Sequence, residues 1–201
     1  MSFHPLMVYD AAKFQKSERR IAEEGEPFAL TPDRRRQLDE ILTKYPPDRK
    51  RSAVLAALYL VQEQQGYLTG SAMRHIAPLL DLTPAEVEDV ATYYVMFYKE
   101  KVGRYVLQVC RTLSCALNGA ELVTEALSEK LGIGVGETDP TGMFTLLEFE
   151  CLGACDRAPV VMVNNELWHE HMRPEDAGRL VDEIKTKGDA AFTGCHLRVE
   201  K

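Results

Sequence analysis

The stretch Tyr105-Val106-Leu107-Gln108-Val109-Cys110-Arg111-Thr112-Leu113-Ser114-Cys115 runs from a short β-rich segment into two cysteines separated by four residues. Its counterpart is Phe144-Thr145-Leu146-Leu147-Glu148-Phe149, a second strand by its apolar and β-branched content, which leads into Cys151 and Cys155. Each pair, Cys110-x4-Cys115 and Cys151-x3-Cys155, therefore sits where a strand gives way to a loop. Strand ends in an α/β fold converge on one rim, so two such loops can bring four sulfurs together although 35 residues lie between the pairs. That geometry predicts one four-thiolate site.

Outward from these strands, the pattern is helical from Asn118 to Leu131, then β-rich at Val160 to Val163, with a turn at Asn164-Asn165 and a hairpin partner from Glu166 to Glu170. Pro174-Glu175-Asp176 opens a last helix that ends near Gly188. The order β-α-β-β-β-α implies an α/β sandwich with a mixed sheet over residues 103–187, followed by a tail, 188–201. Upstream, residues 31–102 read as a small helical bundle, and 1–30 as a weakly patterned arm in which Gly25 and Pro27 end a possible helix. Within the bundle, Thr31-Pro32-Asp33 is an N-cap signal for an apolar stripe of Leu38, Ile41, Leu42 and Tyr45 that Pro46-Pro47 stops. Further helices are expected from Ser52 to Gln65, from Ser71 to about Ala77 with Pro78 ending it, and from Thr83 to about Phe97.

The composition is that of an ordinary globular chain: 201 residues, 45% hydrophobic and 27% charged. A net charge of −7 sets it against nucleic acid and anionic membrane surfaces. The basic runs Arg34-Arg35-Arg36 and Arg49-Lys50-Arg51 are interleaved with acidic residues and read as solvated helix faces. The longest apolar run, Ala53 to Val61, is far short of the about 18 residues of a membrane span, so no direct insertion is expected. The N-terminus lacks the order of a secretory signal, and its acidic residues argue against a transit peptide, which points to the cytoplasm. In a reducing compartment, five cysteines point to metal ligation or catalysis more than to disulfides.

A 2Fe-2S centre takes four thiolates, two on each iron, and Gly153, Ala154, Gly119 and Ala120 are small enough to let backbone amides approach the sulfurs. Structural zinc also takes four cysteines, in a zinc-stabilised interaction module, although its pairs are more often spaced as in ribbons and knuckles. Thioredoxin-type exchange uses Cys-x-x-Cys, which neither pair matches, and two cytosolic disulfides are a weaker reading again.

Over about Arg51 to Lys185 the chain resembles the thioredoxin-like 2Fe-2S ferredoxin family, in the branch that supplies the E-type subunit of NADH:quinone oxidoreductase, respiratory complex I. The resemblance is carried by Arg51-Ser52-Ala53-Val54-Leu55, Gln62-Glu63-Gln64-Gln65-Gly66-Tyr67-Leu68 and Val90-Ala91-Thr92-Tyr93-Tyr94-Val95-Met96-Phe97. It continues through the first cysteine pair, Leu131-Gly132-Ile133, Gly136-Glu137-Thr138 and Glu150-Cys151-Leu152-Gly153-Ala154-Cys155-Asp156-Arg157-Ala158-Pro159. It implies a helical docking domain and a thioredoxin-like domain in which Cys110, Cys115, Cys151 and Cys155 hold one 2Fe-2S cluster. It also implies a partner subunit that binds FMN and NADH, other peripheral-arm subunits, and a peripheral position on the cytoplasmic side of the membrane. In the family the cluster exchanges single electrons with the flavin and lies off the main cluster chain toward quinone. Related subunits serve NAD-linked hydrogenases and formate dehydrogenases, and the shared motifs do not separate these complexes. Cys195 lies beyond the match and has no family role.

Gly132-x-Gly134-x-Gly136 follows a helix and lacks GxGxxG spacing, so it reads as a helix C-cap and turn, not a phosphate loop. NADH is accordingly not expected on this chain. His169 and His171, beside Trp168, read as surface residues with no metal role. Tyr93, Tyr94, Phe97 and Tyr98 read as core. No Ser-His-Asp order, carboxylate pair or P-loop is apparent, so the expectation is a subunit of an oxidoreductase without a complete active site of its own.

Overall fold

The computed structural model describes residues 27–192, in two units, 27–101 and 102–192. The helix end expected at Gly25 and Cys195 lie outside the described residues.

The first unit is helical. Helix α1 (Pro32–Leu42) begins as its sequence signal requires, with the Thr31 hydroxyl accepting from the Arg34 amide and Pro32 at the first helical position. A 3-10 turn, Pro47–Ala53, leads into α2 (Val54–Gln65), which Gly66 ends at φ 89°. The helix expected from Ser52 is thus 3-10 through Ala53 and becomes α-helical only at Val54. Helix α3 (Gly70–Ile76) is capped by Thr69. It ends at Ile76, just ahead of Pro78 as expected, and the chain continues in a 3-10 turn, Ala77–Leu80, where the missing N–H of Pro78 falls in a first turn that needs no donor. Helix α4 (Pro84–Tyr93) opens with a reciprocal Thr83–Glu86 capping box.

That fourth helix stops at Tyr93, short of the expected Phe97, because Tyr94 is extended at φ −91° and ψ 118°. The Gln62 side chain takes over the backbone bonding beyond it, donating to the Met96 carbonyl at 3.0 Å and accepting from the Tyr98 amide at 2.7 Å. The early ending splits the aromatic group expected in the core: Phe97 and Tyr98 are buried, whereas Tyr93 is 77% exposed. Leu38, Leu58, Val61, Leu68, Ile76, Leu80 and Val87 form the unit's own core, each fully buried aliphatic contributing about 2 kcal/mol. Both basic runs are tied into local ion pairs, Arg34 to Glu63, Arg35 to Asp39, Lys50 to Asp81 and Arg51 to Glu86.

The second unit is built on a four-stranded sheet of order β2-β1-β3-β4. Strand β1 is Tyr105–Cys110, followed by a short helix α5 (Leu113–Leu117) and α6 (Ala120–Leu131). Strands β2 (Phe144–Phe149), β3 (Val161–Val163) and β4 (Leu167–His169) precede α7 (Pro174–Lys187). The sheet is mixed, as expected: β1 runs parallel to β2 and antiparallel to β3, and β3 pairs antiparallel with β4. Val163 pairs with Leu167, so the hairpin connection is the three residues Asn164 to Glu166, in which Asn164 and Asn165 both take positive φ, 55° and 61°. They also stitch the turn to β1: the Asn164 side chain accepts from the Val106 amide, and Asn165 exchanges hydrogen bonds with the fully buried Gln108 side chain.

Two details depart from the sequence expectation. The helix expected from Asn118 starts at Ala120, since Gly119 at φ 88° breaks the chain between α5 and α6. Helix α5, which starts in the loop after Cys110 and carries Cys115, has no signal in the sequence, because five residues are too few to show a hydrophobic period. Gly132 caps α6 in the left-handed region, and the Gly134 amide is taken by the Glu137 carboxylate, so the glycine run is a satisfied turn. Val123, Leu127, Ala177, Leu180, Val181 and Ile184 from α6 and α7 pack with Tyr105, Leu107 and Val109 from β1 into one core. No helix among the described residues is long and apolar enough to cross a membrane.

Candidate metal centre

The parallel pairing of β1 with β2 sets Cys110 opposite Phe149, so both strands deliver their following loops to the same end of the sheet. Cys110 is the last residue of β1, and Cys115 lies on α5, both buried. Cys151 and Cys155 follow β2 and are exposed, with their sulfurs 3.5 Å apart. All four are free thiols.

Hydrogen bonds lock the two loops to one another. The Arg111 amide donates to the Phe149 carbonyl, and the Arg111 guanidinium pairs with Glu150 at 3.0 Å. The Ser114 hydroxyl donates to the Cys155 carbonyl at 2.7 Å. Trp168, from β4, holds the second loop by donating from Nε1 to the Leu152 carbonyl at 3.2 Å. None of these links is legible in the sequence except Trp168, which stands out as the lone tryptophan but carries no sign of its partner.

Burial opposes ionisation of Cys110, but hydrogen bonds from the Thr112 hydroxyl and amide, the Leu152 amide and Cys115 outweigh it and hold that thiol below its usual range. Cys115 is pushed up to about 11, by burial and then by its hydrogen bond to Cys110, although the Val160 amide also reaches it. The Gly153 amide, 3.4 Å from Cys151 Sγ, lowers the Cys151 thiol, with Cys155 and Thr112 helping. Cys155 is raised by its bond to Cys151 and by that neighbour's charge. Across the pairs, Cys155 opposes ionisation of Cys115 and Cys110 opposes that of Cys155, so the two loops place their thiols within electrostatic reach of one another.

This donor set is all sulfur and suits a thiophilic metal that displaces the remaining protons. Among the described residues no group of three or more His, Cys, Asp or Glu side chains is placed to hold a metal ion. Two pairs of cysteines are nonetheless the donor set of a 2Fe-2S centre, two thiolates on each iron. His169 is half-buried against Phe192, with its ring held below the usual histidine range by burial, Glu183 opposing in part. His171 sits at φ 50° in the turn before α7. Leu113 and Leu117, on the helix that carries Cys115, are exposed.

The chain is 44% identical over 138 residues to NADH-quinone oxidoreductase subunit 2 of Thermus thermophilus, covering 69% of this chain and 76% of that protein. It is 40% identical over 148 residues to the E-type NADH-quinone oxidoreductase subunit of Rickettsia conorii, covering 73% of this chain and 88% of that protein. Its fold is also similar to that of a NAD+-reducing NiFe-hydrogenase in the H2-reduced state, with a TM-score of 0.60 at 19% identity over 69% of this chain. That match spans only 23% of the hydrogenase chain. The model of the thioredoxin-like 2Fe-2S ferredoxin family matches residues 38–185, and with relatives of this identity and coverage the chain belongs to that family.

Proposed function

We propose that the chain is the electron-transfer subunit of an NADH:quinone oxidoreductase, and that Cys110, Cys115, Cys151 and Cys155 hold one 2Fe-2S cluster. The observation that carries this reading is the meeting of two thiol pairs at one end of a parallel strand pair. A 2Fe-2S centre bound there supplies one-electron storage and transfer. The protein's own residues shape the site: the Gly153 amide donates to Cys151 Sγ, Thr112 Oγ1 lies 3.3 Å from Cys110 Sγ, and Arg111, Ser114 and Trp168 hold the loops in register.

The electron partner in this reading is a subunit bearing FMN and NADH, within a peripheral arm on the cytoplasmic side of the membrane. Exposed Leu113 and Leu117 beside Cys115 offer apolar surface at the site for such a partner. Sequence relatives named as NADH-quinone oxidoreductase subunits favour that complex over a hydrogenase, whose likeness lies in the fold.

Chemical analysis and spectroscopy test the reading. Anaerobically purified protein should carry about two irons and two acid-labile sulfides per chain and give a low-temperature EPR signal after dithionite reduction. Cys151→Ser should abolish or alter that signal, and Cys195→Ser should leave it intact. Zinc without sulfide, and no reducible chromophore, would overturn the assignment.

A further inference from the structure

Thr112 stands at the N-cap of α5, where a threonine hydroxyl normally accepts from an amide of the first turn, yet it makes no such bond. Its Oγ1 lies instead 3.3 Å from Cys110 Sγ, and it also favours the charged form of Cys151 in the other loop. We propose that Thr112 is a positioning residue for the metal centre: its hydroxyl is turned from helix capping to the cysteine sulfurs and stabilises the added electron by a hydrogen bond to sulfur. This inference rests on the proposed role of the four cysteines as cluster ligands.

The direction of the bond follows from the ligand state. In the free thiol, either atom of the Cys110–Thr112 contact can be the donor. A sulfur bound to metal as thiolate has no proton, so the hydroxyl must donate. An electron added to the centre increases the negative charge shared with the thiolates, and a donor aimed at sulfur stabilises the reduced form more than the oxidised one. Losing the hydroxyl should therefore make reduction harder. Since the hydroxyl caps nothing, its removal takes no hydrogen bond from α5, and the redox effect is separable from a loss of structure.

The test compares full-length wild type with Thr112→Val, which keeps nearly the same shape, and Thr112→Ser, which keeps the hydroxyl. Each is analysed for iron and sulfide and titrated under EPR, and the reduced signal is examined for hyperfine coupling to a proton that exchanges in D2O. Thr112→Val should load normally, titrate at a more negative potential than wild type and lose one exchangeable coupling while those of the amide donors remain, with Thr112→Ser recovering both properties. A loaded Thr112→Val with wild-type potential and unchanged coupling overturns the proposal. If valine prevents loading, Thr112→Ala replaces it and the same two readouts decide. A wild-type chain without sulfide or reduced-state signal is a different failure: it refutes the metal-centre reading itself, and this inference with it.

Discussion

Gly153 is held at φ 82°, and nothing lies within 4 Å of where a Cβ would stand, so the backbone and not the available space demands glycine. An L-residue in this region costs about 1–2 kcal/mol, and relaxing that strain would turn away the amide that donates to Cys151. Gly153→Ala should leave the far-ultraviolet circular dichroism unchanged while lowering iron retained after gel filtration and speeding iron loss to a chelator. Retention equal to wild type would show that the amide does not support the site. The cysteines themselves are legible because two close pairs, each after an apolar run, are a pattern visible along the chain. Ser114, Thr112 and Arg111 are not, since an isolated polar loop residue gives no sign of a partner such as the Cys155 carbonyl, 41 positions away. The small residues near the cysteines have unequal roles: Gly153 serves Cys151 directly, whereas Gly119 breaks α5 from α6.

At the scale of elements, sequence is most informative where local chemistry is decisive. Thr83 through Glu86 mark the start of α4 correctly, since both halves of a capping box lie within one turn, but its end is set by Gln62 in α2, which no local pattern discloses. Parallel pairing of β1 with β2 is implied only by the intervening helix, yet it is what brings the two loops to one end. The β4 to α7 region also carries a pH response. His169 Nε2 is buried without a hydrogen-bond partner among the described residues, and burial keeps the ring neutral below its ordinary range, with Glu183 opposing. In the unfolded chain the ring takes up a proton near pH 6.5, so as pH falls below that value the unfolded state binds it first and stability declines until the folded ring also titrates. Melting temperature should therefore fall from about pH 7 toward about pH 5.5 in protein whose visible absorbance shows intact loading. His169→Phe, which keeps an aromatic ring beside Phe192, should flatten that slope. An identical slope in the variant would assign the acid sensitivity elsewhere.

Over the whole molecule, the two units have separate buried cores, one around Leu58, Leu68 and Val87 and the other around Leu107, Val109 and Val181, while every candidate ligand lies in the second. A ligand that binds only the folded state stabilises by mass action what must be folded to hold it. The four cysteines join β1, α5 and the loop after β2, so a bound centre should raise the cost of opening those elements first. Hydrogen exchange on loaded protein, and on protein stripped anaerobically with a chelator, should then show lost protection in β1, α5 and β2, with smaller changes in α2 and α3. The buried strand amides are the sensitive reporters: the Cys110 amide bonds to the Val160 carbonyl at 3.0 Å and the Arg111 amide to the Phe149 carbonyl at 3.0 Å, and neither opens without parting the strand ends that carry the thiols. Equal loss of protection in both units would mean that they open as a single cooperative body, whereas unchanged exchange at Cys110 and Arg111 would mean that the rim is rigid before any metal arrives.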